Sequence, residues 1–337
     1  MIAGNLMENE YTISEKNESH SPAENRKSKN EEPLVSVIVI TYNSENYVIE
    51  TLESAKSQSY NNIELVISDD GSTDHTVEIC KEWVEKNKSR FVSVQILTSP
   101  SNRGIPANCN KAVKAANGKW IKIIAGDDIL LNHCIEENVR FLATKENAKI
   151  LISNIIHFLD GTEPKKTVKT SKPFWGKENR PQTARQQYEA LLLSYCGNTT
   201  SFFICKEVLN SIPFDERLSF IEDYPFLLNA TKSGIYIDHV DSITVMYRIR
   251  NHSVYFGDSK RLFSDFYLKS YEFDKLYRFP YLSKTRRKYE EFNHRRLKFL
   301  DRWKLNNVTR THKIIYTISR YCNIYRYLMF IIDRKSL

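Results

Sequence analysis

No stretch of this 337-residue chain comes near the roughly 20 consecutive apolar residues that a membrane-spanning helix requires. The longest apolar runs are strand-length, as in Val35 to Ile40. Any membrane contact is therefore expected to be peripheral. The six cysteines (Cys80, Cys109, Cys134, Cys196, Cys205 and Cys322) form no Cys-x-x-Cys pair and no close Cys/His cluster. Structural zinc is thereby excluded, and the cysteines read as the reduced thiols of a cytosolic protein. The N-terminus lacks the basic-then-apolar pattern of a secretory signal, because Asn5 to Glu32 is dominated by Glu, Asn, Ser and Lys. There are no repeats and no low-complexity tract. No helix-turn-helix or single-strand-binding module is legible, which argues against nucleic acid as a partner.

What is present is 41% hydrophobic residues, enough for one large domain with a buried core, and a formal charge of +8 that points to an anionic partner. Residues 1–32 are polar and without apolar periodicity, and they read as a disordered tail. After Pro33, Leu34 to Ile40 is a run rich in β-branched residues, of the kind buried on both faces of a parallel sheet. Helical and strand patterns then alternate. A helix runs through Leu52 and Ala55, a strand covers Ile63 to Ser68, a helix surrounds Val77 to Val84, and a strand covers Val92 to Leu97. A helix from Arg103 to Ala116 follows, then a strand from Trp120 to Ile124.

This order predicts a Rossmann-like, mostly parallel sheet flanked by helices, in which ligands sit beyond the carboxyl ends of the strands. Three polar clusters stand at such ends: Thr41-Tyr42-Asn43, Asp69-Asp70-Gly71-Ser72 and Asp127-Asp128. Further on come a strand at Ile150 to Ser153, a polar loop or lid over 160–187 and a helix at Tyr188 to Ser194. A strand at Thr200 to Cys205 precedes an apolar helix after Glu222-Asp223, and Tyr236 to Val240 and Ile243 to Arg250 read as two strands. From Lys260 onward, 20 Lys and Arg stand against 7 acidic residues. Residues 258–337 thus read as a basic, aromatic-rich helical region following a catalytic domain at 33–257. Ile314, Ile318, Tyr321, Tyr325, Leu328 and Ile332 recur at helical spacing there. Such a stripe suits either an interfacial membrane helix or a helix packed on the catalytic body.

Closely spaced carboxylates offer the hard oxygens that Mg or Mn prefers beside a diphosphate, and Asp127-Asp128 meets that need. The alternative is a turn with Asp128 capping the next helix. In Asp69-Asp70-Gly71-Ser72-Thr73-Asp74 an aspartate can accept from a base N–H, or the segment is a plain turn. Asn102-Arg103-Gly104 is either a loop or a means of bringing a guanidinium to a phosphate or a base. Glu222-Asp223 offers a carboxylate base far along the chain from the metal pair, or simply the acidic first turn of a helix.

Taken in order, Val35 to Asn43, Asp69 to Asp74, Asn102-Arg103-Gly104, Asp127-Asp128 and Glu222-Asp223 resemble the family 2 glycosyltransferases over about residues 33–255. The resemblance implies the A-type glycosyltransferase fold. It implies contacts to a uridine-type nucleotide from Thr41, Tyr42, Asn43, Asp69, Asp70 and Arg103, with Asp127 near the ribose. It further implies Asp128 as ligand of a divalent Mn or Mg, and Asp223 as general base of an inverting transfer, with Glu222 placing the acceptor. Ala125 stands where the family often has a further aspartate. Tyr247-Arg248-Ile249 resembles a late family segment in which a histidine often follows. Here Arg250 follows, with His252 two positions on, so Arg248, Arg250 and His252 are the candidates for diphosphate contact. The expected substrates are a nucleotide-sugar, a UDP-sugar by preference, and a glycan or lipid-linked glycan of a surface polysaccharide, capsule or lipopolysaccharide. The expected place is the inner face of the cell membrane, held there by the basic C-terminal region. A noncatalytic nucleotide-sugar-binding scaffold is the alternative. A nucleotidyltransferase is disfavoured, because the first strand leads into no glycine- and lysine-rich phosphate loop.

Overall fold

The computed structural model describes residues 32–162, 165–172, 181–194, 198–250 and 260–333, with side chains as far as 328. The tail expected to be disordered lies outside them but for its last residue, as does His252. Pro33 to Leu337 forms one compact unit.

The first half alternates as its hydrophobic runs predict: β1 (Val35–Thr41), α1 (Val48–Lys56), β2 (Ile63–Asp69), α2 (Thr76–Asn87), β3 (Val94–Thr98), α3 (Ile105–Ala115) and β4 (Trp120–Ala125). The short β5 (Ile129–Leu130) and α4 (Cys134–Thr144) lead to β6 (Ile150–Leu159), β7 (Thr167–Ser171) and α5 (Ala184–Leu193). Then come β8 (Phe202–Cys205), α6 (Lys206–Ser211), α7 (Asp223–Lys232) and β9 (Ile237–Ile249). The C-terminal helices are α8 (Asp265–Phe273), α9 (Lys284–Arg302), α10 (Arg310–Tyr321) and α11 (Ile324–Asp333).

Among the described residues nine strands make one sheet in the order β3-β2-β1-β4-β8-β6-β9-β5, with β7 added on β6. β1 to β4 pair in parallel, and β6 and β9 run parallel to each other. β8 lies antiparallel between β4 and β6, so β6 and β9 point the same way as β4. The carboxyl ends of β1, β2, β4, β6 and β9 therefore share one edge of the sheet. β8 is fixed in place by Trp120 stacked on Phe203, with ring centroids 5.2 Å apart. Phe226 on α7 packs against Phe202 and Phe214.

Three local expectations change. The polar segment 160–187 contains β7, whose residues are mostly exposed because it is a hairpin strand at the sheet's margin. The two strands expected between Tyr236 and Arg250 are one, β9. The Asp241-Ser242 interruption is absorbed as an irregularity in the β6–β9 register, bridged by Asn154 donating to Asp241 at 2.9 Å. The single C-terminal stripe is broken between α10 and α11, where buried Asn323 gives its amide to the Tyr289 carbonyl at 3.1 Å.

The start of the basic region packs on the body. Phe273 meets Tyr224 with centroids at 4.5 Å, Tyr277 donates to Asp215 at 2.6 Å, and Arg278 donates to the Leu192 carbonyl at 2.9 Å. α10 has no buried residue, and its Ile314, Ile318 and Tyr321 face outward. The start of the region is thus packed on the body, while the apolar side chains of α10 are left exposed.

Candidate active site

β1 and β2 end side by side, with Thr41 opposite Asp69. The Thr41 hydroxyl donates to Asp69 Oδ2 at 2.9 Å, and the Ser72 hydroxyl donates to the same oxygen at 2.5 Å. Asp69 Oδ1 accepts from the backbone N–H of Gly71 at 3.0 Å and of Ser72 at 2.8 Å. Asp70 accepts from the amides of Arg103 and Gly104 at 3.0 and 2.8 Å. Asn43 gives its own N–H to the Ser72 hydroxyl at 2.8 Å and accepts the Thr73 N–H at 2.9 Å. Both aspartates thus use their oxygens to join three loops. The parts that project from this cluster are Tyr42, 46% exposed, and the Arg103 guanidinium, which reaches Glu216 at 3.2 Å. Lys111 lies behind it, donating to the Asp69 carbonyl at 2.8 Å.

Two glycines bring the remaining clusters close. A side chain at Gly126 would meet the Thr41 methyl at 2.8 Å, so the turn into Asp127-Asp128 lies against the end of β1. Gly104, with φ +93°, leaves no room for a Cβ beside the Ser219 carbonyl, which approaches to 2.5 Å. The Arg103 loop therefore rests on the segment that leads into Glu222.

Asp128 is 1% exposed. Its Oδ1 accepts the Arg248 backbone N–H at 2.9 Å, whereas its Oδ2 is buried and has no hydrogen-bond partner among the described residues. Burial, then the adjacent Asp127 charge, holds its carboxyl well above the usual range. Burial also raises Asp127, against the pull of Arg250 and Arg248. Arg250 pairs with Asp127 Oδ2 at 2.5 Å and stays about a third exposed. Arg248 is 6% exposed and committed inside the protein. It donates to the Asp127 carbonyl at 2.7 Å, to Asp160 at 2.9 Å and to Glu50. Its guanidinium lies over the rings of Tyr47 and Phe158, at 4.9 and 4.6 Å.

Glu222 precedes α7 and Asp223 begins it. The Thr199 hydroxyl donates to Glu222 Oε1 at 2.6 Å. Burial, then the Asp223 charge, pushes the Glu222 carboxyl up to about 8. The Tyr247 hydroxyl is raised by burial, then by Asp128 and Asp127, and also by Asp223, so Tyr247 stands in the field of both acidic pairs. Cys109 on α3 is likewise raised by burial, then by Glu222, Asp223 and Asp70.

Thr41, Asn43, Asp69, Asp70 and the Arg103 backbone accordingly form one hydrogen-bonded cluster, with Tyr42 projecting from it. Asp127, Asp128, Arg248 and Arg250 form a second, and Glu222 with Asp223 a third, with the Tyr247 hydroxyl raised by charges of both acidic pairs. Tyr47, Glu50, Lys111 and Thr199 carry no signal in the sequence, because their partners are distant in the chain. Asp160 carried a usable signal, since it follows β6 as the other clusters follow their strands. Among the described residues no group of three or more His, Cys, Asp or Glu is arranged to hold a metal. The unpartnered Asp128 oxygen is a hard donor of the kind such a site needs. That fits Mg or Mn, which take their remaining ligands from water and substrate phosphates.

The model of the family described as Glycosyl transferase family 2 matches residues 36–210. A relative from Escherichia coli, the UDP-Glc:alpha-D-GlcNAc-diphosphoundecaprenol beta-1,3-glucosyltransferase WfaP, is 29% identical over 68% of this chain and 82% of its own length. Among solved structures, S. aureus TarS 1-349 in complex with UDP-GlcNAc aligns with TM-score 0.55 at 22% identity, over 77% of this chain and 71% of that one. The mannosyltransferase PcManGT of Pyrobaculum calidifontis, in complex with GDP-Man and Mn2+, aligns with TM-score 0.51 at 17% identity, over 74% and 64%. These two likenesses establish the A-type glycosyltransferase fold.

Proposed function

The chain belongs to glycosyl transferase family 2 and is a glycosyltransferase, and we propose that it moves a hexose from a UDP-sugar onto a lipid-diphosphate-linked glycan during surface polysaccharide assembly. The observation that carries this reading is Asp128 Oδ2, a buried carboxyl oxygen without a partner among the described residues, in the turn that lies against the end of β1. UDP is the preferred nucleotide because WfaP and the TarS complex both carry it in their descriptions.

Tyr42 and Arg103 contact the uridine half, on loops that Asp69, Asp70, Thr41 and Asn43 hold in shape, and Asp127 meets the ribose. Asp128 holds a divalent Mn or Mg, which when bound neutralises the charge of the diphosphate. Arg250 contacts the diphosphate, a role for which His252 is the further candidate from the sequence. Arg248, whose guanidinium is fully engaged within the protein, positions the acidic pair. Asp223 takes the proton of the attacking acceptor hydroxyl as that oxygen bonds the anomeric carbon and UDP leaves, in one displacement that inverts the centre. Glu222, protonated near neutral pH, offers a hydrogen bond to the acceptor.

The C-terminal helices supply the membrane contact. Residues 295–328 hold nine Lys and Arg against a single acid, Asp301, which leaves a net +8. Phe299, Trp303, Ile314, Ile318, Tyr321 and Ile324 are exposed among them. No helix among the described residues is long and apolar enough to cross a membrane. Apolar side chains flanked by cations suit an anionic lipid surface on the cytoplasmic side.

The test is transfer from UDP-glucose, UDP-N-acetylglucosamine, GDP-mannose and dTDP-glucose to a GlcNAc-diphospholipid, with Mn2+ or EDTA. A Mn-dependent product from a UDP-sugar alone is expected, and a product from GDP-mannose or dTDP-glucose alone would remove the donor assignment. In flotation with anionic phospholipid vesicles, the wild type should float and Ile314→Glu/Ile318→Glu should not. A variant that still floats would move the anchor elsewhere.

A further inference from the structure

Lys122 lies within β4, six residues before Asp128, and is 0% exposed. Among the described residues it has no carboxylate partner. Its ammonium donates to the Thr200 carbonyl at 2.7 Å and also meets the Cys134 thiol. Desolvating a lysine is costly, and an apolar side chain of equal length would fill the same space without that penalty. The amine is therefore best understood through what it holds.

What it holds is the turn Thr199–Ser201. All three residues of this turn are buried, and the hydroxyls of Thr200 and Ser201 bond back to Asn198. The Thr199 hydroxyl points the other way and donates to Glu222 Oε1 at 2.6 Å. A continuous line thus runs from Lys122 Nζ through the Thr200 carbonyl and the Thr199 hydroxyl to the acid pair at the start of α7. The same strand ends in the turn that bears Asp127 and Asp128.

We propose that Lys122 is a positioning residue for sugar transfer. It ties the acceptor-side acids to the strand that carries the diphosphate-side acids, so that one rigid element sets the spacing of both halves of the site. The amine touches neither substrate, and it acts through the Thr199–Glu222 contact. The inference rests on the reading of Glu222 and Asp223 as acceptor-side acids.

The experiment compares wild type, Lys122→Met, Thr199→Val, the double variant and Asp223→Asn in the full chain. UDP release from UDP-glucose is followed with a GlcNAc-diphospholipid acceptor, and UDP affinity with Mn2+ is measured by calorimetry. A misplaced acid should lower kcat by about ten- to a hundredfold in each single variant while UDP affinity stays within about twofold. The double variant should be no worse than the poorer single one, because both changes break one line. A folded Lys122→Met enzyme with kcat near wild type, or losses that multiply in the double variant, would overturn the proposal. If Lys122→Met does not fold, Thr199→Val decides, and an unchanged kcat there overturns it as well. Full activity in Asp223→Asn would instead bring down the assignment of the acceptor-side acids.

Discussion

Asp69-Asp70 and Asp127-Asp128 close the two strands that flank β1, and each pair adjoins a glycine. Their surroundings differ. The oxygens of Asp69 and Asp70 are surrounded by backbone amides and hydroxyls that stitch the loops after β1, β2 and β3 together. Asp128 has one amide on one oxygen, nothing on the other, and a carboxyl raised by burial and by its neighbour. Identical side chains at equivalent strand ends are thus a structural brace in one case and, on the proposed reading, a metal ligand in the other. Satisfied hydrogen bonds stabilise a fold, whereas an unpaired buried oxygen costs it stability and is kept for what binds there.

The sharpest way to break this comparison is to neutralise each pair. Asp128→Asn should lower kcat by about 10^2- to 10^3-fold, the scale of losing one electrostatic contact to the reacting groups. Its Tm without metal should stay level or rise, because the desolvation penalty of the buried carboxyl is removed. Asp69→Ala should do the reverse in kind, with Tm falling as about 1–3 kcal/mol is lost for each donor left unsatisfied. Thermal unfolding beside steady-state kinetics checks both, and equal Tm losses in the two variants would erase the distinction.

A smaller effect separates the acceptor side. Glu222 keeps its proton up to about 8 in the folded chain, while an unfolded glutamate releases it near about 4.3. The folded state therefore binds more protons across that interval, so stability falls as pH rises through it. Glu222→Gln should flatten the decline in Tm between pH 5 and pH 8.5. An unchanged slope would place the carboxyl in an ordinary environment.

Much of the first half was legible because β1, β2 and β4 are long apolar runs that stop at polar clusters. Strand direction was not, since apolar periodicity is the same for a parallel and an antiparallel strand, and β8 enters antiparallel between β4 and β6. The Asp241-Ser242 break misled for a related reason, because a polar pair inside a strand is tolerated when Asn154 bonds it from the neighbouring strand. At the site, residue types and strand ends pointed to clusters that the fold brings to one edge of the sheet. They could not tell Asp69 from Asp128, a difference made by donors brought in by folding. Glu50, which grips Arg248 from 198 positions away, and Thr200, which is 78 positions from Lys122, are connections that only the fold creates.

The most direct test of the account is calorimetric titration of UDP into wild type and Asp128→Asn, each with and without Mn2+. The account predicts that Mn2+ tightens UDP binding to wild type by at least about tenfold and leaves the variant unchanged. Equal Mn2+ enhancement in both proteins would contradict it, because the unpartnered oxygen of Asp128 would then have no part in holding the donor.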